Sequence, residues 1–448
     1  TWVAQISWFC LFPAYDDLPR VYKLLSRAVA CSITFERVPT GFMKNDWGDG
    51  NITTFPTANG TSYRFQFHIS SASGAVAHSI VIGPTGIGKT TLYAFLCGAA
   101  MRYPKLKAFF FDRNRGIEIF TNAVGGAYLT FVGGKTKDVE YGKKTYMNPL
   151  KLPDTPENRQ FLRLWLKAIT YIENSDYAKS EAQIEEEISR AVSVVYDYLD
   201  YDLRSLKNIY KSVFSPTGIV RQEIKRWVDD EQYGMLFNSD VDNLDLSSQL
   251  TSFDFTNIFE DSRLAAAVIS YIMNQINNVT TKEGDPSLII IDETAPMLEN
   301  PMFRRNFITG LQEGRKKRQA FMAAFQQPNI IDNLGVGEAI RGQCQTAIFF
   351  KNPQATPKDY AGWNLNEKEM AFISGKLYPE LRYAVLISRP IINESVILNI
   401  DLSSIGNYLK IFDSGRKSVV LADELLKKMG GLKMAGSEKY FGELLKNL

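Results

Sequence analysis

Residues 83–90 read Gly83-Pro84-Thr85-Gly86-Ile87-Gly88-Lys89-Thr90, with the apolar run Ile80-Val81-Ile82 before them and Thr91-Leu92-Tyr93-Ala94-Phe95-Leu96 after. The order is strand, glycine loop, helix, and it constrains the chain more than any other feature. A strand of this kind needs a sheet around it, and the loop lets backbone N–H groups converge on phosphate oxygens at a helix N-terminus. Gly83, Pro84, Thr85, Gly86, Ile87, Gly88, Lys89, Thr90 and Thr91 are therefore expected to cradle a nucleoside triphosphate. Lys89 supplies a mobile cation for the β and γ phosphates, and Thr90 offers a hydroxyl to Mg²⁺.

A second landmark lies 200 residues on, where Leu288-Ile289-Ile290-Ile291 ends in Asp292-Glu293. Ligands in open α/β sheets sit at the carboxyl ends of strands. Asp292 is expected to share the Mg²⁺ shell with Thr90, and Glu293 to act as base or orienting group for the water attacking the γ-phosphate. Further strands are expected at Ala108-Phe109-Phe110-Phe111, Ala320-Phe321-Met322-Ala323-Ala324-Phe325 and Thr346-Ala347-Ile348-Phe349-Phe350. Five such runs separated by helices predict a mainly parallel sheet. If the strand at 320–325 lies between the other two nucleotide strands, Gln326 points at the γ-phosphate or the water; the plainer alternative is a strand-end amide capping a helix. Arg341 is a candidate arginine finger for a neighbouring subunit, against the alternative of a pair with a nearby carboxylate. Arg315-Lys316-Lys317-Arg318 reads first as a solvated helix face, with Arg315 and Arg318 as alternative fingers.

Around these motifs the chain divides into five expected parts. Residues 1–78 form a leading segment of short strands packed on the core, with turn clusters at Gly48-Asp49-Gly50-Asn51 and Ala58-Asn59-Gly60-Thr61. Residues 79–150 and 246–425 form the two parts of a nucleotide-binding core. They are interrupted at 151–245 by an all-helical insertion in which Phe161, Leu162, Trp165 and Ile169 share one face. A helical tail occupies 426–448. The balance of 51 Lys plus Arg against 49 Asp plus Glu gives a net +2, so nothing global argues for nucleic acid or an anionic membrane. Cys10, Cys31, Cys97 and Cys344 are scattered without a close pair and only two histidines exist, which argues against structural zinc and a disulfide framework and for a reducing compartment. No apolar stretch approaches the roughly 20 residues that span a bilayer. The chain opens on Thr1 rather than Met, which suggests a fragment of something longer.

Several blocks together resemble the ATPases of type IV secretion and conjugation systems, the CagE/TrbE/VirB class that includes the fourth VirB component. They are His78-Ser79-Ile80-Val81-Ile82-Gly83-Pro84-Thr85-Gly86, Phe111-Asp112-Arg113-Asn114-Arg115-Gly116 with Gly125-Gly126, Asn148-Pro149-Leu150, Asn158-Arg159-Gln160-Phe161-Leu162, Phe253-Asp254-Phe255-Thr256, Asp292-Glu293, Arg315-Lys316-Lys317 and Gln326. The resemblance runs from about residue 10 to 425. It departs at Ile87, where the family has Ser, at Arg113-Asn114, where it has Lys-Asp, and at Thr294-Ala295, where it has Ala-Trp. None of these removes a phosphate, metal or base ligand. The resemblance implies a RecA-like P-loop NTPase core with an all-helical inserted domain, ATP and Mg²⁺ as ligands, and ATP hydrolysis that powers pilus biogenesis and substrate export. It implies a dimer or hexamer at the cytoplasmic face of the bacterial inner membrane, partnered by other secretion ATPases, inner-membrane subunits and a DNA or protein substrate. The chain then corresponds to the C-terminal motor half, with membrane association through partners or through an N-terminal half. A ring-shaped DNA translocase or conjugative coupling ATPase is the nearest alternative, and a nucleotide-gated scaffold with little turnover is another; Glu293 argues against the scaffold.

Overall fold

The computed structural model describes residues 26–27, 38–67, 77–131, 141–170, 175–229, 233–259, 261–299, 301–314 and 316–448. Thr1–Pro39 and Thr40–Leu448 form two compact units. Few residues of the first are described, and the second carries the fold.

The second unit opens with an antiparallel hairpin, β1 (Thr53–Pro56) and β2 (Ser62–Phe65), in register Thr53↔Phe65 to Pro56↔Ser62. Its turn closes through Thr57 N–H to Thr61 O at 2.7 Å. The P-loop strand β3 (Ser79–Ile82) leads into α1 (Lys89–Ala100), followed by β4 (Lys107–Asp112), α2 (Glu118–Ala123), β5 (Ala127–Phe131) and β6 (Lys143–Thr145). Between β6 and the next strand come α3 (Pro156–Ile169), α4 (Ser175–Asp197), α5 (Leu206–Ser212), α6 (Ile219–Val228) and α7 (Gly234–Phe237). The chain then returns to the sheet through β7 (Leu250–Asp254), α8 (Ser262–Glu283), β8 (Ser287–Ile291), α9 (Thr294–Leu298), α10 (Pro301–Glu313) and β9 (Gln319–Phe325). It ends with α11 (Ile330–Asn333), α12 (Gly337–Gln343), β10 (Thr346–Phe350), α13 (Glu367–Ile373), β11 (Ala384–Arg389), β12 (Glu394–Asn399), α14 (Arg416–Lys428) and α15 (Glu438–Asn447).

Ten strands make one sheet in the order β12-β11-β10-β3-β9-β8-β4-β7-β5-β6. From β10 to β6 every neighbouring pair is parallel, and the antiparallel pairs are β10–β11 and β11–β12 at one edge. A parallel strand covered on both faces carries apolar residues continuously, which is why these strands read as unbroken Ile, Phe and Ala runs. The pleat then deals the side chains alternately to two cores. Ile80, Ile82, Phe109, Phe111, Ile289, Ile291, Phe321 and Ala323 face the core shared with the helices of residues 156–237 and with α8 and α10. Val81, Ala108, Phe110, Leu288, Ile290, Ala320 and Met322 face the other, which holds α1, α2, the hairpin and α14 and α15. Each such Ile, Leu or Phe side chain, once buried, contributes on the order of 1.5–3 kcal/mol.

Two tryptophans tie the helices of residues 156–237 to α8 and to one another. Trp165 donates its indole N–H to Ala267 O at 3.0 Å and Trp227 donates to Ile169 O at 3.1 Å, with their rings edge to face at 6.3 Å. Both are fully buried, so each polar edge finds a carbonyl while the ring fills the core. Helix starts follow local chemistry: Thr155 accepts from Asn158 N–H ahead of Pro156 at the first helical position, and Asp261 accepts from the N–H groups of Arg263 and Leu264. His78 is a core histidine: Nδ1 accepts from Phe321 N–H at 3.0 Å and Nε2 donates to Leu311 O at 2.9 Å. Cys97 and Cys344 are free and buried. Cys10 and Cys31 lie outside the described residues.

The hairpin is clamped by Arg389, which is only 1% exposed. Its guanidinium donates to Tyr63 Oη and Gln66 O at 2.7 Å each, to Thr346 Oγ1 at 3.2 Å and to Glu394 Oε1 at 3.3 Å. Removing one member of a buried pair leaves the other charge desolvated and unpaired. Arg389→Met is expected to lower the unfolding free energy by about 3–5 kcal/mol, and Arg389→Met combined with Glu394→Leu to recover most of that loss, as read by urea denaturation.

Candidate nucleotide site

The loop after β3 closes on itself before any ligand chemistry is considered. Gly83 N–H bonds Phe325 O at 3.1 Å, continuing the β3–β9 ladder one residue past the strand. A Cβ on Gly83 would lie 2.7 Å from that of Phe350, so this position has no room for a side chain. Gly86 and Gly88 have φ of 77° and 99°, left-handed values that an L side chain rarely adopts. Gly88 is the N-cap of α1 and its hydrogen faces open space. The first N–H groups of a twelve-residue helix are thereby left pointing into the cleft.

Lys89 Nζ is held by Gly83 O at 2.6 Å and Pro84 O at 2.8 Å. Burial pulls its ammonium below the ordinary lysine range, opposed by the charges of Asp292 and Glu293. Thr90 Oγ1 donates to Asp292 Oδ2 at 3.0 Å. Burial pushes the Asp292 carboxyl above the usual carboxylate range; Thr90 and Lys89 pull it back and Glu293 adds to the rise. One residue further, Glu293 is held at both oxygens: Oε2 by Arg113 Nη1 at 2.5 Å and Oε1 by Gln326 Nε2 at 3.0 Å. Arg113 also lies over the Phe259 ring at 5.7 Å.

Arg113 arrives through a tightly specified turn after β4. Asp112, 1% exposed, accepts from the N–H groups of Gly116 and Ile117 at 3.1 Å each and from Tyr128 Oη at 2.8 Å. Burial drives the Asp112 carboxyl well above its ordinary range, with nearby Asp292 and Asp254 adding to the rise. Asn114 and Arg115 both have positive φ, 63° and 61°, which stores strain that the surroundings must hold. Asn114 N–H is taken by Thr256 Oγ1 at 2.9 Å. Arg115 is gripped by Glu118 at 2.5 Å and by Asp423 of α14, and stacks on Tyr141 at 3.6 Å.

These groups line a cleft of about 440 Å³. Thr85, Gly86, Gly88, Lys89, Thr90, Thr91, Asp292, Glu293 and Gln326 all face it. Gly83 and Pro84 lie behind, and Ile87 faces an adjoining cavity. Arg341 is not brought to the cleft. It forms a bidentate pair with Asp332 at 2.7 and 2.9 Å and lies over the Trp363 ring at 5.6 Å. Arg318 sits at the start of β9, away from the strand ends that carry the cleft, and holds Asp46 O and Gly284 O. Arg315 lies outside the described residues. Arg113, Asn114, Gly116 and Ser414 line the cleft without having been expected there. For the first three the signal was present, in a polar turn directly after an apolar strand; Ser414 carries none.

A mainly parallel sheet with helices on both faces and a G-x-x-x-x-G-K-T loop opening onto the strand ends defines a RecA-like P-loop NTPase. The solved structure of VirB4 of Thermoanaerobacter pseudethanolicus shares this fold, with a TM-score of 0.62 at 13% identity, over 83% of this chain and 100% of that one. A type IV secretion system protein virB4 of Bartonella henselae is 28% identical over 432 residues, covering 95% of this chain and 52% of the relative. Protein virB4 of Agrobacterium fabrum is 27% identical over 431 residues, 93% of this chain and 52% of the relative. No family model matches the chain. Over nearly its whole length it is similar in sequence to these virB4 proteins, and it spans about half the length of the curated relatives it matches.

The Arg113–Glu293 pair is 37% and 29% exposed at its side chains, and an ion pair of that exposure contributes about 0–1 kcal/mol to stability. Arg113→Ala should therefore shift the urea midpoint little while weakening the binding of inorganic tripolyphosphate, followed by calorimetry. A loss of several kcal/mol in stability would mark the pair as structural instead.

Proposed function

We propose that this chain is the motor part of a bacterial type IV secretion ATPase, hydrolysing ATP to power pilus assembly and substrate export. The observation that supports this most is the convergence of Lys89, the Thr90–Asp292 pair and a doubly held Glu293 on one cleft. The backbone N–H groups at the start of α1 and the Lys89 ammonium bind the phosphates, with Lys89 exchanging the Gly83 and Pro84 carbonyls for phosphate oxygens. Glu293 takes the proton of the attacking water. Arg113 and Gln326 each engage one oxygen of that carboxylate, fixing its plane and leaving lone pairs free for the water.

Mg²⁺ fits the donors available. Thr90 hydroxyl and Asp292 carboxylate are hard oxygen ligands already in contact, and two protein ligands leave the remaining positions for phosphate and water oxygens, as this ion prefers. Among the described residues no cluster of three metal-binding side chains exists. When bound, the ion would neutralise charge on the β and γ phosphates.

The chain acts, on this reading, as a dimer or hexamer at the cytoplasmic face of the inner membrane, alongside other secretion ATPases and inner-membrane subunits, moving DNA or protein. Among the described residues no helix is long and apolar enough to cross a membrane. Arg341 is the group supplied in trans; it must then leave Asp332, so its in-chain pair holds the finger back until a neighbour's nucleotide competes for it.

Lys89→Ala should abolish most ATP binding and turnover without a change in melting temperature. Glu293→Gln should keep ATP and Mg²⁺ binding and slow hydrolysis by roughly 10²-fold or more. Phosphate release, nucleotide binding and thermal melting check both, and hydrolysis at the normal rate in either variant removes that residue from the site. The same assay with and without single- and double-stranded DNA separates secretion motor from DNA translocase, since strong stimulation favours the latter. For the trans finger, Arg341→Ala subunits mixed with Glu293→Gln subunits should recover part of the lost activity at a concentration where oligomers are populated. No recovery in confirmed mixed oligomers leaves Arg341 a structural partner of Asp332.

A further inference from the structure

Away from the phosphate cleft, the inserted helices carry an uncovered patch of aromatic and aliphatic side chains. Tyr198, just past the end of α4, keeps 81% of its surface exposed, and Tyr201, Leu203 and Val241 each keep more than half. Scattered exposed apolar residues are ordinary, whereas contiguous ones mark an interaction surface. These are contiguous. Asn148 Nδ2 donates to Arg204 O at 2.8 Å and to Ser239 O at 3.0 Å, which ties the two segments side by side. Lys151 Nζ completes the join, donating to Asp240 O at 2.6 Å while lying over the Tyr201 ring at 4.7 Å.

Charge gives the patch its character. Asp200, Asp202 and Asp240 are exposed, and among the described residues their carboxylates have no ion pair. The nearby cations are already engaged. Arg159 pairs with Asp154 at 2.5 Å and Asp197 at 2.7 Å, and Arg204 donates to Leu199 O at 3.3 Å. Both guanidinium groups lie over the buried Tyr196 ring, at 4.9 and 5.1 Å, and so form a fixed floor beneath the patch. An apolar centre inside a charged rim is the anatomy of a protein interface. We infer that this surface docks a protein segment of opposite character, an amphipathic helix that sets large apolar side chains among Lys or Arg. Tyr198 and Tyr201 are its anchors, since a tyrosine gives a large contact area at the cost of ordering only two torsions.

Other occupants fit less well. The free carboxylates repel a phosphate backbone and an anionic lipid surface alike. A second copy of the chain could offer the cation-rich stretch 204–226, where Arg204, Lys207, Lys211, Arg221, Lys225 and Arg226 face Glu223 alone. Among the described residues, however, no large apolar side chain is exposed between 204 and 240, so that stretch would satisfy the rim and leave Tyr198 and Leu203 uncovered. None of the patch residues lines the phosphate cleft, and the docking site stands independently of what that cleft binds.

The probe is a synthetic helical peptide of Leu and Lys, titrated into the full chain by calorimetry, with the same peptide carrying Glu in place of Lys as control. The Lys peptide should bind one to one and the Glu peptide should not bind. Tyr198→Ser combined with Leu203→Ser should weaken binding about tenfold or more. Asp200→Asn combined with Asp202→Asn should weaken it and flatten its dependence on salt. Both double variants should keep the wild-type melting temperature, because the side chains replaced are exposed. A benzophenone on the peptide should crosslink to residues 198–204 or 239–241. Absence of binding, wild-type affinity in both double variants, or a crosslink elsewhere overturns the docking site. Self-association of the chain, or oligonucleotide binding, that the same variants abolish would give the surface to a second copy or to nucleic acid and overturn the cationic protein partner.

Discussion

Parallel register is the constraint on which the site depends. Ile82 pairs with Phe325, Ala323 with Ile291, and Ile291 with Phe111. The next residues past those strands are therefore Gly83, Gln326 and Asp292, with Asp112 and Arg113 alongside. Four chain segments separated by up to 243 residues thus end at one level and hand their polar groups to one cleft. The period of a strand is two, so a slip of one residue would send each side chain into the opposite core and withdraw the carboxylates together. The two cores make such a slip expensive, since Ile290 and Ile291 would exchange faces along with every neighbour. The packing of the sheet and the alignment of the site are therefore secured by the same contacts.

The parts of the site that were legible in the sequence are those whose chemistry is local. The loop at 83–90 carries its own strand, turn and helix, and Asp292-Glu293 follows four apolar residues directly. The fold class followed from the same runs, because a strand buried on both faces announces itself without needing to know its neighbours. Gln326 was left between two roles, since its meaning depends on strand order; with β9 between β3 and β8 its amide reaches Glu293 rather than a helix end. Arg113 was visible only as a polar turn. Its pairing with Glu293 spans 180 residues, and no periodicity encodes a contact of that kind. The Asp332 partner of Arg341 is nine residues away, yet the pairing follows from how α11 and α12 fold together and not from their sequence spacing.

The segment after the sheet ends carries no sequence motif. Residues 400–414 carry no motif of their own within the expected core part 246–425, yet they border both the P-loop and the cavity beside it. Their placement is fixed by aromatic packing. Phe412 lodges between Phe95 of α1 and Phe120 of α2, and Tyr408 stacks on Phe441 of α15 at 6.0 Å. Such contacts are non-directional enough that composition does not reveal them, and specific enough in shape that the folded chain has one arrangement.

The helix that follows this segment, α14, reaches the turn after β4 through Arg115 and links the two physically. Arg115 sits in a left-handed conformation two residues after Arg113, and its guanidinium is divided between Glu118 of α2 and Asp423 of α14. Glu118 is buried, and burial pushes its carboxyl up to about 7, with Arg115 the chief opposing influence. Ionising Glu118 in the folded protein therefore costs free energy that only Arg115 offsets, so the turn cannot release that arginine without leaving a buried carboxylate uncompensated. A raised folded value means this site favours folding most at low pH and progressively less as pH rises from the ordinary glutamate range towards 7. The strained turn that presents Arg113 to Glu293 is thus held from its far side by α14.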